Sequence, residues 1–363
     1  MKAILLNLRM AMVSLLATFA SVQVMAQFFQ EENEDGILIN YNIVSEENKT
    51  CGVAQAAQGQ YSGTVNIPSS ANGYTVVEIR EMAFNWQKEL TAVTIPNTVT
   101  SIGGSAFNYC EGLKEIIIPN SVTRIGATAF AGCSNIMSFN IPNSVEYISY
   151  DAFINSGFYN DESNWEDGAL YIDNCLVKAK GNDTGNCDIK EGTRLIAQSA
   201  FSDMYTSITI PKSVTKIGMH AFSSTNLYKD PSNWKDGVLY ISDCLIEVKS
   251  EGSTDLVIEE GTRLINDNAI TRRNNITSVH IPNSVTIIGD NSFYYCQNLT
   301  SLIIPNSVET IGKEAFGYCN GLKKLVIPNS VKKTGDKAFA DCSGLEYILS
   351  LIKEPADVEL GSD

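Results

Sequence analysis

The sequence predicts a parallel β-solenoid of about ten stacked units, because two short patterns recur every 23 residues or so along the 363-residue chain. The first pattern is an Ile-Pro pair, which recurs at one constant interval within two groups: Ile95, Ile118 and Ile141, then Ile281, Ile304 and Ile327. The second is an Ala-Phe pair or a close variant, whose second residue is Phe84, Phe107, Phe130, Phe153, Phe201, Phe222, Ile270, Phe293, Phe316 or Phe339. One shared period indicates stacked units that bury their apolar faces against their neighbours.

Residues 113–133 show the expected shape of one unit. In 113–118, apolar and outward side chains alternate, as on a strand with one buried face. Pro119 has no N–H to donate, so the strand should end there, and we expect Gly126 to take a positive φ in the next turn. The spacing of Ala129, Phe130 and Cys133 predicts one short helical turn. The fold is therefore mostly β, with a parallel sheet on one face, turns and short helical segments on the other, and a buried stack of Phe rings.

The middle of the chain contains a duplicated block. Two spans of equal length, Ile141–Ile189 and Ile210–Ile258, each hold one repeat followed by a similar additional segment. These inserts, near 157–188 and 226–257, contain the matching stretches Asn-Trp-Glu-Asp-Gly and Asn-Trp-Lys-Asp-Gly. Asp-Gly pairs favour tight hairpin turns. The sequence thus predicts two hairpin-like inserts.

The segment 1–26 has the pattern of a secretory signal peptide. Lys2 and Arg9 give it a positive start, an apolar run follows, and cleavage is expected near Ala26. This run is shorter than the ~20 residues of a membrane-spanning helix, and we expect no transmembrane segment after cleavage. The rest of the chain is predicted to comprise a β-rich N-terminal cap, the repeat array and a C-terminal tail, at residues 27–66, 67–352 and 353–363.

These repeats resemble the BspA-type leucine-rich repeat, which occurs in secreted or cell-surface proteins of bacteria and protists. The resemblance covers about residues 63–352: residues 113–118 follow the general leucine-rich pattern, and Val122, Ile125 and Phe130 follow the BspA-type second half. It implies a leucine-rich-repeat solenoid that is secreted or exposed at the cell surface. It also implies a role in adhesion, with an extracellular or host protein of the matrix type, or another cell-surface protein, as the partner.

Charge and composition exclude several other functions. The formal net charge is −15, whereas proteins that bind nucleic acid need a basic face. The sequence contains no Cys-x-x-Cys pair of the kind that binds a metal ion, and no cofactor motif is present. The two histidines, His220 and His280, have no recognisable nucleophile motif nearby. The sequence therefore predicts a protein that is not an enzyme and that needs no cofactor.

Five of the nine cysteines are predicted to form one buried row, three residues after the repeat Phe. This cysteine row comprises Cys110, Cys133, Cys296, Cys319 and Cys342. Equivalent positions hold Ser156, Met204 and Thr225, which suggests a requirement for volume rather than for a thiol. Although an exported protein can form disulfides, the spacing favours buried free thiols, with bonding between neighbours as the alternative.

One candidate binding surface is a row of outward-facing residues, each of which directly precedes an Ile-Pro pair or its equivalent in the sequence. Toward the C terminus it becomes apolar at Ile303, Val326 and Leu349, and it includes His280 and, earlier in the chain, Ile117. Aliphatic side chains in adjacent strands form a contiguous patch of the kind that marks a partner site. We expect this row to bind a protein.

A second hypothesis concerns the two inserts. Trp165 and Trp234 occupy matching positions there, and exposed indoles would serve as stacking platforms in a glycan-binding accessory protein. Burial of both rings against the repeat core would remove this alternative.

Overall fold

The structure is a computed structural model that describes residues 28–249 and 254–352, together with the backbone of 359–360. The predicted signal peptide at 1–26 therefore lies outside the described residues. So does most of the predicted tail at 353–363.

The chain forms a β-solenoid of about 13 turns, with about 23 residues in each turn and almost no helix. This confirms the predicted repeat solenoid. The turns outnumber the ten predicted units because strands before the first Ala-Phe pair, and one strand of each insert, also join the parallel ladders. The chain divides into two compact units, Met1–Asn164 and Trp165–Asp363.

The described part of the first unit contains two sheets. Its strands are β1 (Phe28–Glu32), β2 (Leu38–Ser45), β3 (Thr50–Val53), β4 (Gly63–Asn66), β5 (Ser70–Ala71), β6 (Tyr74–Ile79), β7 (Leu90–Thr94), β8 (Ser101–Ile102), β9 (Glu115–Ile116), β10 (Arg124–Ile125) and β11 (Tyr147–Ile148). The longer sheet has the order β1-β2-β3-β6-β8-β10-β11, with β5 beside β6, and the shorter has the order β4-β7-β9. From β3 onward, neighbours along both paths are parallel.

An antiparallel hairpin precedes these parallel strands, within the segment predicted as a cap. β1 pairs with β2, and β2 pairs with β3, in antiparallel register. Tyr41 of β2 is fully buried, and its ring stacks on that of Phe29 with centroids 5.2 Å apart. The hairpin thus adds an apolar contact at the start of the longer sheet.

The described part of the second unit contains longer and shorter sheets. Its strands are β12 (Trp165–Glu166), β13 (Ala169–Ile172), β14 (Cys175–Ala179), β15 (Asn186–Asp188), β16 (Leu195–Ile196), β17 (Ser207–Thr209), β18 (Lys216–Ile217), β19 (Trp234–Lys235), β20 (Val238–Ile241), β21 (Cys244–Val248), β22 (Asp255–Val257), β23 (Leu264–Ile265), β24 (Ser278–His280), β25 (Ile287–Ile288), β26 (Ser301–Ile303), β27 (Thr310–Ile311), β28 (Lys324–Ile327), β29 (Lys333–Thr334), β30 (Tyr347–Ser350) and β31 (Glu359–Leu360). The longer sheets follow the orders β12-β13-β14-β16-β18 and β19-β20-β21-β23-β25-β27-β29-β31. The shorter ones are β15-β17, β22-β24-β26 and β28-β30.

Short helices occur in the inserts, where hydroxyl residues replace the cysteine of the row. The described helical segments are α1 (Gly157–Asn160), α2 (Asn226–Lys229) and the 3₁₀ turns Glu162–Asn164 and Pro231–Asn233. Ser156 and Thr225 cap the two α-helices, since their hydroxyl oxygens accept the N–H groups of Tyr159 at 3.1 Å and Tyr228 at 3.0 Å. At these two positions the row therefore needs a hydrogen-bonding group as well as a small volume.

Each insert also contains the predicted β-hairpin. β12 pairs with β13, and β19 pairs with β20, in antiparallel register. Asp167-Gly168 and Asp236-Gly237 form the two turns, and both residues of each pair have positive φ. These dihedral signs belong to the type I′ turn, whose twist matches that of the paired strands.

The segment around each Ala-Phe pair is a series of tight turns, so the predicted short helix is wrong. Phe107 donates its N–H to the Ala129 carbonyl of the next turn at 2.8 Å, whereas Ala106 donates to Gly103 of its own turn at 3.3 Å. Ser105 has a φ of 52°, and a left-handed residue interrupts a right-handed helix. Hydrogen bonds between turns thus replace the helical ones.

Gly126, which follows strand β10 of the longer sheet, allows close packing between turns. The prediction that Gly126 has a positive φ is wrong. The left-handed residue is instead Thr128, with a φ of 51°. A Cβ atom on Gly126 would lie 2.4 Å from the backbone nitrogen of Gly104 and 2.5 Å from the carbonyl carbon of Gly103. Glycine is required because successive turns approach each other backbone to backbone.

The repeat Phe rings form the stacked core that the sequence predicts. Phe107 and Phe130 have ring centroids 5.4 Å apart and planes within 2°, and Phe293 and Phe316 have centroids 5.1 Å apart. These four side chains are fully buried. Phe339 stacks on Phe316 at 5.6 Å but is only half-buried, because it lies near the last described turn.

Candidate binding surface

One of the two outward positions on five shorter-ladder strands of the second unit holds four aliphatic residues and one histidine. Val257 pairs with His280, and His280 with Ile303, in β22-β24-β26. Val326 pairs with Leu349 in β28-β30, and β26 neighbours β28. We call these five residues the apolar row.

The four aliphatic members of the apolar row are exposed to solvent. Their exposed fractions are 67% for Val257, 78% for Ile303, 39% for Val326 and 49% for Leu349. The preceding residues on three of these strands, including Leu302 and Leu325, are buried in the core. Strand alternation therefore directs one aliphatic residue inward and the next outward. The structure places the predicted patch on the surface.

Val257 belongs to the apolar row, but an alignment of the repeats on their Ile-Pro pairs does not include it. Ile258 is followed by Glu259 rather than by proline, so the pair is absent from this repeat. The available signal was the spacing from Ile258 to Ile281, which is one full repeat and aligns Val257 with His280.

Ile117 directly follows strand β9, whose sheet β4-β7-β9 contains none of the five strands of the apolar row. Its side chain is highly exposed. The equivalent positions of the preceding and following repeats are the polar residues Thr94 and Asn140. Ile117 is thus a single aliphatic residue in an otherwise polar stretch of its row.

The two insert tryptophans are half-buried and engaged within their own inserts. The Nζ atom of Lys180 lies 4.2 Å from the ring centroid of Trp165, and that of Lys249 lies 3.8 Å from the ring centroid of Trp234. The indole N–H of Trp234 donates to the Tyr228 carbonyl at 2.8 Å. These contacts give the rings a structural role and leave less of their faces available to a sugar.

All nine cysteines are free and buried, including the five of the cysteine row, for which the spacing favoured buried free thiols. Each thiol of the row donates to the carbonyl of an earlier turn: Cys110 to Phe84 at 2.9 Å, for example, and Cys342 to Phe316 at 2.9 Å. Burial raises the pKa of Cys110 to about 12 and the pKa of Cys296 to about 11. The thiols therefore pack and hydrogen-bond in their protonated form.

We expect the cysteines of the folded protein to resist Ellman's reagent near pH 8. A thiol whose pKa is about 12 is then ionised in about one molecule in 10⁴, and the side chain is also shielded from solvent. All nine should react once the chain is unfolded in guanidinium chloride. Rapid modification of any of the five thiols of the cysteine row in the folded protein would contradict their burial.

Other kinds of site receive no support from the described residues. Within residues 28–249 and 254–352, no group of three or more His, Cys, Asp or Glu side chains could hold a metal ion. Over the same part of the chain, no helix combines the length and hydrophobicity needed to cross a membrane. His220 and His280 are both exposed, and His280 lies between Val257 and Ile303 of the apolar row.

The stacked turns and their parallel ladders define a leucine-rich-repeat solenoid. A family model described as the BspA-type leucine rich repeat region matches residues 57–163, 180–244 and 249–352 in six copies. The chain therefore belongs to the BspA-type leucine-rich repeat family.

Several solved structures are similar to this chain. A leucine rich cell surface protein from Faecalibacterium prausnitzii is 25% identical, with 88% of each chain covered and a TM-score of 0.35. A leucine-rich repeat protein from Bacteroides ovatus is 23% identical, with 86% of this chain and 88% of that chain covered and a TM-score of 0.32. One from Bacteroides capillosus is 30% identical over 34% of this chain and 87% of its own, with a TM-score of 0.30. No curated protein matches the chain.

Proposed function

We propose that this protein is a secreted or surface-exposed adhesion scaffold that binds an extracellular protein through the apolar row. The partner is a host protein of the matrix type or another cell-surface protein, and binding requires neither a cofactor nor catalysis. The exposed aliphatic side chains of adjacent strands carry this proposal. Membership of a repeat family typical of bacterial surface proteins supports the location.

The apolar row is better explained by binding than by sheet formation. Thr94 of β7 and Thr209 of β17 occupy the same repeat position elsewhere in the chain, so the ladder forms with polar residues there. Exposed aliphatic residues on adjacent strands increase the risk of aggregation unless a partner covers them. Because the ladder is rigid before binding, little conformational entropy is lost when a partner docks.

Replacing Ile303, Val326 and Leu349 together by serine should weaken partner binding about tenfold or more. The substitutions remove the apolar contact area, and surface changes usually alter stability by within ~0.5 kcal/mol each. We would measure binding to a panel of immobilised matrix proteins by surface plasmon resonance. Thermal unfolding would be followed for the same variants.

The matched control replaces Ser301 and Lys324 by alanine, since these residues lie on β26 and β28 with Ile303 and Val326 and also point outward. Its affinity should equal that of the original protein. If the triple serine variant keeps both its stability and its affinity for the partner, the apolar row is not the binding surface.

A further inference from the structure

Two tyrosines of the second unit, which we call the tyrosine pair, lie two residues after the repeat Phe in adjacent turns. The rings of Tyr295 and Tyr318 have centroids 4.6 Å apart, with an angle of 21° between their planes. Both side chains are half-buried, and both residues lie in the described segment 254–352. The two phenols are therefore stacked on each other and still accessible to solvent.

The backbone holds the tyrosine pair in register. The N–H of Tyr295 donates to the Gly317 carbonyl at 2.9 Å, and the N–H of Tyr318 donates to the Ala340 carbonyl at 3.0 Å. The φ angles of the two tyrosines are 61° and 59°. Because equivalent residues with the same backbone conformation project the same way, and their rings are nearly parallel, the carbons ortho to the two hydroxyl groups lie side by side.

Charged residues occupy the same repeat position in the two flanking turns. The guanidinium carbon of Arg272 lies 5.9 Å from the ring centroid of Tyr295. In the turn after the pair, a hydrogen bond to the Asp341 carboxylate raises the pKa of Tyr318 to about 12. The Tyr318 hydroxyl is thus protonated at neutral pH and has a proton acceptor beside it.

Stacking alone does not explain two phenols at this position. The backbone there has a positive φ, which bulky side chains rarely adopt, and Gly132 takes the equivalent place in the first unit with a φ of 71°. Trp86 and Tyr109 form the equivalent stack of the first unit, with centroids 4.4 Å apart. A ring stack therefore forms here without a second hydroxyl group, whereas phenol oxidation requires both.

We propose that the tyrosine pair is a site of oxidative cross-linking, at which a haem peroxidase and hydrogen peroxide join the two rings as dityrosine. Each phenol loses one electron and its hydroxyl proton, and the two radicals form a bond between the carbons ortho to their oxygens. The hydrogens on those carbons then move to the oxygens and restore both phenols. Hydrogen peroxide takes up the two electrons and two protons and becomes two molecules of water. The Asp341 carboxylate receives the hydroxyl proton of Tyr318.

The fold favours this bond within one chain over a bond between chains. The two rings are in contact before oxidation, so their coupling needs no encounter between molecules. The new bond closes a loop that contains strand β26 and therefore Ile303 of the apolar row. The inference concerns a covalent modification and does not rest on the proposed function.

The test exposes the dilute mature protein to a haem peroxidase and limiting hydrogen peroxide. We expect dityrosine fluorescence in the monomer band of a denaturing gel. Trypsin should then release peptides 274–313 and 314–323, which contain Tyr295 and Tyr318, joined with the loss of two hydrogen atoms. Absence of dityrosine, or its presence only in covalent dimers, overturns the proposal.

Three phenylalanine variants identify the tyrosines that react. Tyr295→Phe and Tyr318→Phe each remove one hydroxyl group and keep the ring, so the circular dichroism spectrum should be unchanged and the cross-link should disappear. Tyr294→Phe is the matched control, because Tyr294 meets Tyr318 edge-on, with centroids 5.4 Å apart and planes at 81°. It should cross-link normally. Loss of the cross-link in the control, or its persistence in either of the other variants, overturns the proposal.

Asp341→Asn tests the proton acceptor. Asparagine tolerates the left-handed backbone of this position, where φ is 56°, but its amide does not take up a proton. The initial rate of cross-linking at neutral pH should fall several-fold, while the same two peptides become joined. Glu309→Gln is the control, since this carboxylate pairs with Lys332 instead, and its rate should be unchanged. Equal rates in the two variants would overturn the role of Asp341.

Discussion

Phe316→Ala is expected to lower the free energy of unfolding by about 3–5 kcal/mol, the usual range for truncation of a core Phe. The ring is fully buried between Phe293 and Phe339, with centroid distances of 5.1 Å and 5.6 Å. Alanine would leave a cavity in the middle of the stack. Backbone hydrogen bonds hold the neighbouring turns at a fixed spacing, so they cannot collapse into it.

Urea denaturation followed by circular dichroism would measure this loss. Ile303→Ala is the control, since the residue is 78% exposed and its truncation should change the free energy of unfolding by about 0.5 kcal/mol or less. A loss below about 1 kcal/mol for Phe316→Ala would show that the Phe rings are not the core of the turns.

Gly103→Ala should destabilise the fold by about 1–3 kcal/mol, as overpacking of a rigid contact does. A Cβ atom there would lie 2.5 Å from the backbone nitrogen of Glu81 and 2.6 Å from the carbonyl carbon of Arg80. Both are main-chain atoms of the previous turn, so no side chain can rotate away to relieve the overlap.

The neighbouring glycine provides the matched control for this change. In Gly104→Ala, the nearest atom to the new Cβ would be the Ala127 carbonyl oxygen, at an ordinary contact distance of 3.5 Å. We expect unchanged stability, or a gain of up to about 1 kcal/mol from the reduced entropy of the unfolded chain. Equal effects of the two substitutions in thermal unfolding would mean that close approach between turns is not the reason for Gly103.

Several features of the chain followed from its periodicity. The regular recurrence of Ile-Pro and Ala-Phe predicted the solenoid, the Phe stack and the buried cysteines, because each unit can bury its apolar side chains only against the same side chains of its neighbours. The Asp-Gly pairs predicted both hairpins, since φ > 0 at two successive positions suits these residues. Strand alternation also placed Ile303 and Val326 on the surface.

Backbone details of the turns were less predictable. The spacing of Ala129, Phe130 and Cys133 suits a helical turn. However, Thr128 is left-handed, and the N–H groups of Thr128 and Phe130 donate to the Tyr150 and Ala152 carbonyls of the next turn. Where a chain is stacked on copies of itself, hydrogen bonds between copies compete with local ones. Local spacing does not show which of them forms.

The sequence by itself determined the repeat fold, the inward and outward faces of its strands and the members of the apolar row other than Val257, because these follow from the order of side chains along a strand. Only the tertiary structure decided how the strand edge of the first insert is closed. The phenol of Tyr205 reaches Gly181, 24 residues earlier, and the side-chain amide of Asn182 reaches the carbonyl of Asp167. Such contacts depend on the spacing of turns in three dimensions.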